Sequence, residues 1–303
     1  MLRNNLEQLK QRSGVGIDLH GLRWLQYVAI NEPLGDVAML GRQCVHIDAA
    51  SQSKLLGTPH GKTYGPYCEE LLLERLGATS VTSFDASDYE GATVVHDMNV
   101  PLQDHRQFDT VLDIGTLEHV FNFPVGLANV AALCKKGGRI VHALPANNYN
   151  GHGFYQFSPE LFFSLYSAQN GFAETEVFIA EVDDERHWWK SAVPVGGVRV
   201  EYTSGQRSYV MAVTRKITER TRQTVQQSDY VMNWKDGEVK PRPLRPSLRT
   251  FSYSILKKVP LLWRYADALA GPINTHVNAE CHRLSKSNPH YHRVRIDTLV
   301  CRP

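Results

Sequence analysis

Two polar clusters in this chain carry the residue types that chemistry needs, and each follows a short apolar run. One is DIGTLEH at residues 113–119, the other NNYNGHGFYQ at residues 147–156. A carboxylate can accept two hydrogen bonds or steady a positive charge, and an imidazole exchanges a proton near neutral pH. His152, flanked by glycines, is therefore the first candidate for a general base, with His119 beside it. Asn147, Asn148 and Tyr155 offer donors and acceptors to a polar substrate. Each has a plainer alternative: His152 could only pin its loop, His119 could pack beneath that loop, and Glu118 could be a first-turn acid that stabilises a helix dipole. Two further acids, Asp85 followed by Ala86 and Asp97 followed by Met98, also stand directly after apolar runs. Aspartate commonly starts a turn, so either one alone is a weak signal, but two at successive strand ends favour a binding role.

These residues take their places from the elements around them. Val111 and Leu112, with Thr110 and Ile114 beside them, make a short apolar run that reads as a strand buried on both faces, ended by Asp113 and Gly115. Pro124 opens a helical run with Val125, Leu127, Val130, Ala131 and Leu133 at helical spacing, closed by Lys135, Lys136, Gly137 and Gly138. Arg139 to Leu144 is a second buried strand. Strand, helix and strand form a crossover, which implies a parallel sheet with ligands beyond the carboxyl ends of its strands. Upstream, Asp36 to Leu40 is a first strand running into Gly41, Arg42 and Gln43. A polar loop is expected over residues 49–65, then a helix opening at Pro66 with Cys68, Leu71, Leu72, Leu73 and Leu76. Strands over Ser80–Phe84 and Thr93–His96 deliver Asp85 and Asp97. Ser158 caps a helix carrying Leu161, Phe162, Leu165 and Tyr166, and strands follow at residues 172–180 and 209–215. The repeated units predict a doubly wound, mostly parallel α/β sheet.

Three divisions are expected: a helical layer over residues 1–32, a main domain over 33–217 with an insertion at about 183–207, and an extension over 218–303. The first contains two amphipathic patterns, around Leu6 and Leu9 and through Leu22, Trp24, Leu25 and Val28. The insertion holds Trp188 and Trp189, which could cover an acceptor or simply anchor the segment. Residues 240–249 read as a basic, proline-rich connector and residues 251–269 as an amphipathic stretch.

Composition bounds the rest. With 303 residues, 42% hydrophobic, 21% charged and a net charge of +2, the chain suits a large α/β domain and has no overall electrostatic reason to bind nucleic acid. No apolar run approaches the roughly 20 residues of a membrane helix, and the first residues lack a signal-peptide core; a cytoplasmic protein without membrane insertion is expected. The five cysteines are scattered without a C-x-x-C pair, which suggests reduced structural thiols. Thirteen histidines invite a metal reading, yet neither His46 with Asp48 nor His290 with His292 has a second half, so no metal is expected.

FDTVLDIGTLEHVFN at residues 108–122, followed by KKGGRIVHALP at 135–145, resembles the class I S-adenosylmethionine-dependent methyltransferases, and by order of elements the likeness spans about residues 35–216. SDYEGATVVHDMNVPL and NNYNGHGFYQFSPELF are similar to a bacterial subgroup that modifies glycans or small metabolites. The resemblance implies a seven-stranded Rossmann-like sheet with helical additions at both ends, and S-adenosylmethionine as cofactor. It places Asp85, with Ala86, at the ribose hydroxyls, Asp97 and Met98 at the adenine, and Asp113, Gly115 and Glu118 on the methionine side. The family's glycine-rich loop after the first strand is replaced here by Gly41, Arg42 and Gln43, whose polar side chains could contact the cofactor carboxylate. The implied reaction is O-methylation of a sugar or other small polar acceptor, with a homodimer as a further expectation. The missing glycines motivate the alternative of a non-catalytic scaffold, while a nicotinamide enzyme is disfavoured because G-x-G-x-x-G is absent.

Overall fold

The computed structural model describes residues 16–57, 62–103, 106–195, 198–231, 283–285 and 288–300. Among the described residues the centre is a mixed sheet of nine strands: β1 (Gly35–Leu40), β2 (Ala78–Asp85), β3 (Val94–Val95), β4 (Phe108–Ile114), β5 (Cys134–Asn147), β6 (Phe172–Glu181), β7 (His187–Ser191), β8 (Ser208–Lys216) and β9 (Tyr291–Arg295). Their spatial order is β3-β2-β1-β4-β5-β8-β6-β7-β9. From β3 to β5 every pairing is parallel, and from β5 to β9 every pairing is antiparallel. Strand order reverses between β1 and β4, where a crevice opens in sheets wound this way.

Alternation along the strands splits the core between two faces. Val37 and Met39 join Leu112, Val141 and Met211 on one side, whereas Ala38 and Leu40 join Val111, Ile140 and Val210 on the other. The first face is covered by α1 (Leu19–Ala29), α2 (Ala49–Leu56) and α3 (Glu69–Arg75), the second by α4 (Phe123–Leu133) and α5 (Pro159–Leu165). Asp18 caps α1 by accepting from the Gly21 amide at 2.8 Å. Trp24 of α1 is fully buried and donates from Nε1 to the His142 carbonyl at 3.0 Å, so an anchor of about 2–3 kcal/mol of burial is also fixed in direction. A last short helix, α6 (Ile296–Val300), buries Ile296.

The sheet has two strands more than the seven expected. β7 arises from the 183–207 segment and β9 from the region after residue 218, so both contribute to the same sheet. Tyr291–Arg295 buries only Tyr291 fully and exposes His292, Arg293 and Arg295, which leaves no alternation to read. Trp188 and Trp189 are buried in β7, and Trp188 Nε1 donates to His20 Nδ1 at 3.0 Å; they anchor the segment and do not cover an acceptor. The polar stretch expected as a loop over 49–65 contains α2, which buries little beyond Gln52 and Leu56 and so lacks an amphipathic signature. Its cap is Asp48, accepting from the Ser51 amide. α3 begins at Glu69 rather than Pro66, because the Pro66 carbonyl and the Cys68 amide are bonded to Val45 and Gln43 in an extended pairing. Strand β3 has only two residues where four were expected.

The patterns around Leu6 and Leu9, at residues 240–249 and at 251–269 lie outside the described residues. Among the described residues no helix is long and apolar enough to cross a membrane.

Candidate functional site

A cleft of about 490 Å³ opens at the carboxyl ends of β1, β2, β3 and β4. Gly41, Arg42 and Gln43 line it after β1, Asp85 and Ala86 after β2, Asp97 and Met98 after β3, and Gly115 after β4, with Thr116 and His119 beyond. Gly41 has φ +65°, and a Cβ there would stand 2.8 Å from Thr116 Oγ1 and 2.9 Å from Gln43 Nε2, so glycine is required for the two loops to close together. Thr116 Oγ1 donates to the Leu40 carbonyl at 2.8 Å and Gln43 Nε2 to the same carbonyl at 2.9 Å, bracing the floor. Arg42 is turned to structural use: Nε donates to Glu69 at 2.7 Å, Nη1 to the Glu90 carbonyl at 2.7 Å, and its plane lies over the Tyr67 ring.

The two strand-end acids differ. The Asp85 backbone carbonyl accepts from the His96 amide at 2.7 Å, but among the described residues nothing hydrogen-bonds its carboxylate, which lines the cleft. Asp97 Oδ1 accepts from the amide and the side chain of Asn99 at 2.9 and 2.7 Å, an Asx turn that holds its carboxyl below the usual range. Asp97 thus does turn duty on one oxygen, while among the described residues nothing hydrogen-bonds the other. Met98 is buried beneath it. Glu90 and His96 also line the cleft; both lie within the SDYEGATVVHDMNVPL stretch, whose resemblance gives them no role.

Asp113 does not reach the cleft. It is fully buried, its Oδ1 accepts from the amides of Thr116 and Leu117 at 3.3 and 3.2 Å, and its Oδ2 lies 2.7 Å from His142 Nδ1. His142 Nε2 is in turn 2.6 Å from the Tyr166 hydroxyl. Burial, then the charge of Asp113, pushes the Tyr166 phenol well above its ordinary range, so it stays an O–H and donates to Nε2. The hydrogen-bond pattern thereby assigns the proton on Nδ1, donated to Asp113. This closed relay is a structural knot, which removes Asp113 from the expected methionine-side contacts. His142, its centre, is a missed residue whose position in an apolar strand gave no hint of a partner.

Glu118 belongs to a short 3-10 turn, Leu117–His119, and is likewise fully buried. Here, among the described residues, the carboxylate has no hydrogen-bond partner on either oxygen. Burial raises its pKa. Oε1 lies 3.6 Å from His152 Nε2 and 3.7 Å from His119 Nε2, both beyond hydrogen-bond reach, and the two imidazole rings meet edge to face at 5.1 Å. The loop that brings His152 here is tied down by its backbone: the Phe154 amide donates to the Glu118 carbonyl at 2.7 Å. Gly153 permits this, since a Cβ would meet that carbonyl oxygen at 2.8 Å. The sequence pairs considered for metal, His46 with Asp48 and His290 with His292, are not the ones brought together; Glu118, His119 and His152 are, with one ligand atom of each within 4.8 Å of the others.

The acceptor residues expected from the loop are engaged elsewhere. Asn147 and Asn148 donate from their amides to the Ser204 and Gln206 carbonyls, and Asn148 sits at φ +60°. Tyr155 donates its hydroxyl to the Phe121 carbonyl at 2.7 Å. They shape the loop, and their donors are already committed within the protein. Chemically, the site combines a cleft of about 490 Å³ that Asp85 lines with a corner holding two imidazoles and a buried acid.

No family model matches this chain, and no curated protein matches it. Three solved structures are similar to it in part. One is the N-methyltransferase NodS from Bradyrhizobium japonicum, at 10% identity over 65% of this chain and 94% of that one, TM-score 0.37. Another is the YcgJ protein from Bacillus subtilis, at 10% identity over 64% and 98%, TM-score 0.37. The third is the 1,6-didemethyltoxoflavin-N1-methyltransferase of Burkholderia thailandensis, with 1,6-didemethyltoxoflavin and S-adenosylhomocysteine bound, at 17% identity over 71% and 84%, TM-score 0.37.

Proposed function

We propose that this chain transfers the methyl group of S-adenosylmethionine to a hydroxyl of a sugar or another small polar metabolite. The observation that carries this reading is the cleft at the β1/β4 reversal, with the unpartnered Asp85 carboxylate on its wall and one free oxygen of Asp97 beside it. A ribose presents two adjacent hydroxyls, and one carboxylate accepts from both. The adenine amino group suits Asp97, with Met98 beneath the ring. The bound cofactor supplies an activated methyl on a sulfonium, so the protein's task is largely to hold acceptor and methyl carbon in line. An oxygen nucleophile must also lose its proton. His119 lines the cleft and His152 lies against it, so the proton-accepting imidazoles stand at the cleft's edge.

Isothermal titration with S-adenosylhomocysteine tests the reading. The wild-type chain should bind, and Asp85→Ala should lose about 1.5–3 kcal/mol, roughly 10- to 150-fold in Kd, from the lost charge-assisted bonds. No heat from the wild type at millimolar ligand, or unchanged affinity in the variant, would overturn it.

A further inference from the structure

We propose that Glu118, His119 and His152 form a binding site for one divalent first-row transition-metal ion of the zinc type, with its open coordination positions facing the cleft. Three observations converge. The first is composition: one carboxylate and two imidazole Nε2 atoms lie within 4.8 Å of one another, and three such ligands with a free position are a recurring zinc set. The second is spacing. A metal held about 2.0–2.2 Å from each ligand keeps neighbouring ligand atoms roughly 3–3.6 Å apart. Here the carboxylate oxygen is 3.6 Å from one nitrogen and 3.7 Å from the other. That gap is too wide for a hydrogen bond and slightly wide for a bound ion, and His119, half exposed, is free to close it.

The third observation points to a ligand independently of the cluster. Among the described residues, both Glu118 oxygens and His152 Nε2 are buried without any hydrogen-bond partner, although Oε1 and Nε2 stand 3.6 Å apart. An unpaired buried carboxylate costs several kcal/mol, and a cation between these atoms satisfies all of them at once. Two imidazoles select zinc or its first-row neighbours over magnesium and calcium, which prefer oxygen. Because His119 also lines the cleft, an ion here sits where an acceptor oxygen could take the open position, and it would then lower that oxygen's pKa in place of proton uptake by the imidazoles, whose Nε2 atoms it occupies. That use of the ion rests on the function proposed above; the site itself does not.

The test uses tag-free full-length chain, stripped with a chelator and titrated with Zn²⁺ by calorimetry, then separately with Mg²⁺ and with S-adenosylhomocysteine. One Zn²⁺ per chain is expected, with little heat from Mg²⁺. His152→Ala should weaken Zn²⁺ binding by more than the roughly 10- to 100-fold that loss of a supporting contact costs. A retained melting transition and retained S-adenosylhomocysteine binding show that the variant is folded; should it fail to fold, His119→Ala, at a more exposed position, provides the same readout. No Zn²⁺ binding to the wild type, a preference for Mg²⁺, or equal Zn²⁺ affinity in a folded variant would overturn the inference. The last result would leave Glu118 and the two histidines as neighbours with no ion between them. Zn²⁺ binding without S-adenosylhomocysteine binding would sink the methyl-transfer reading alone, and the reverse would sink the metal site alone.

Discussion

Five positions apart, this chain buries two carboxylates beside histidines, and treats them in opposite ways. Asp113 is closed: backbone amides fill one oxygen, His142 fills the other at 2.7 Å, and Tyr166 completes the relay. Glu118 is open: both oxygens lack partners and its histidines stand back at 3.6 and 3.7 Å. Both are fully buried, so burial alone does not distinguish structure from site. What does is whether hydrogen bonding is complete. A satisfied buried acid is part of the fold, and an orphaned one at the edge of a cleft is available to something from outside.

The largest effect should come from opening the closed pair. Asp113→Ala strands the His142 Nδ1–H and the amides of Thr116 and Leu117 in a dry interior, and removing one partner of such a pair costs about 3–5 kcal/mol. Urea unfolding should show that loss, a large share of the ~5–15 kcal/mol available to a typical domain. A loss under about 1 kcal/mol would mean that the relay carries no penalty of desolvation and that the contrast with Glu118 is empty.

A second closed site sharpens the same point with a cation. Lys216 of β8 is buried, and its Nζ donates to the Ala131 and Cys134 carbonyls at 2.8 and 2.6 Å. These carbonyls end α4, so the ammonium sits at the negative end of the helix dipole. The neighbouring Lys135 instead pairs with Asp109 on β4. Lys216→Met keeps much of the stem's packing but leaves the carbonyls unpaired, and should cost about 1–3 kcal/mol in the same unfolding measurement. Because burial already lowers the Lys216 pKa, part of the bonding is offset by desolvation, which keeps this loss below that of Asp113→Ala.

How much of this could be read from the chain follows the same division. Strand ends were legible, because apolar runs stop where polar residues begin: Gly41, Asp85, Asp97 and Gly115 meet at one cleft as the run lengths imply. The closed relay was not. Asp113 is opposite His142 in the β4–β5 register, and no local pattern reveals which residue lies across a parallel pair. Nor was the approach of His152 to Glu118, which depends on a loop folding back through Gly153 onto a backbone carbonyl more than thirty residues away in sequence. The two antiparallel strands β7 and β9 failed to register for another reason: one is short and aromatic, the other an exposed, charged edge, and neither shows the alternation of a half-buried strand.

The smallest effect is expected where the comparison is most exposed to failure. Glu118→Gln exchanges an orphaned charge for a neutral amide of the same shape. In chelator-treated protein the change in unfolding free energy should stay within about 1 kcal/mol of zero, with stabilisation as acceptable as loss, since no hydrogen bond is removed and a buried charge is relieved. A loss as large as that of Asp113→Ala would show that Glu118 has partners in solution that the open geometry lacks. Zinc should then separate the two proteins: an ion at 100 times its Kd adds about 2.7 kcal/mol to the wild type, and the Glu118→Gln variant should gain much less because it offers only a neutral amide oxygen. Equal gains would place any bound zinc elsewhere on the chain and return Glu118 to the company of Asp113.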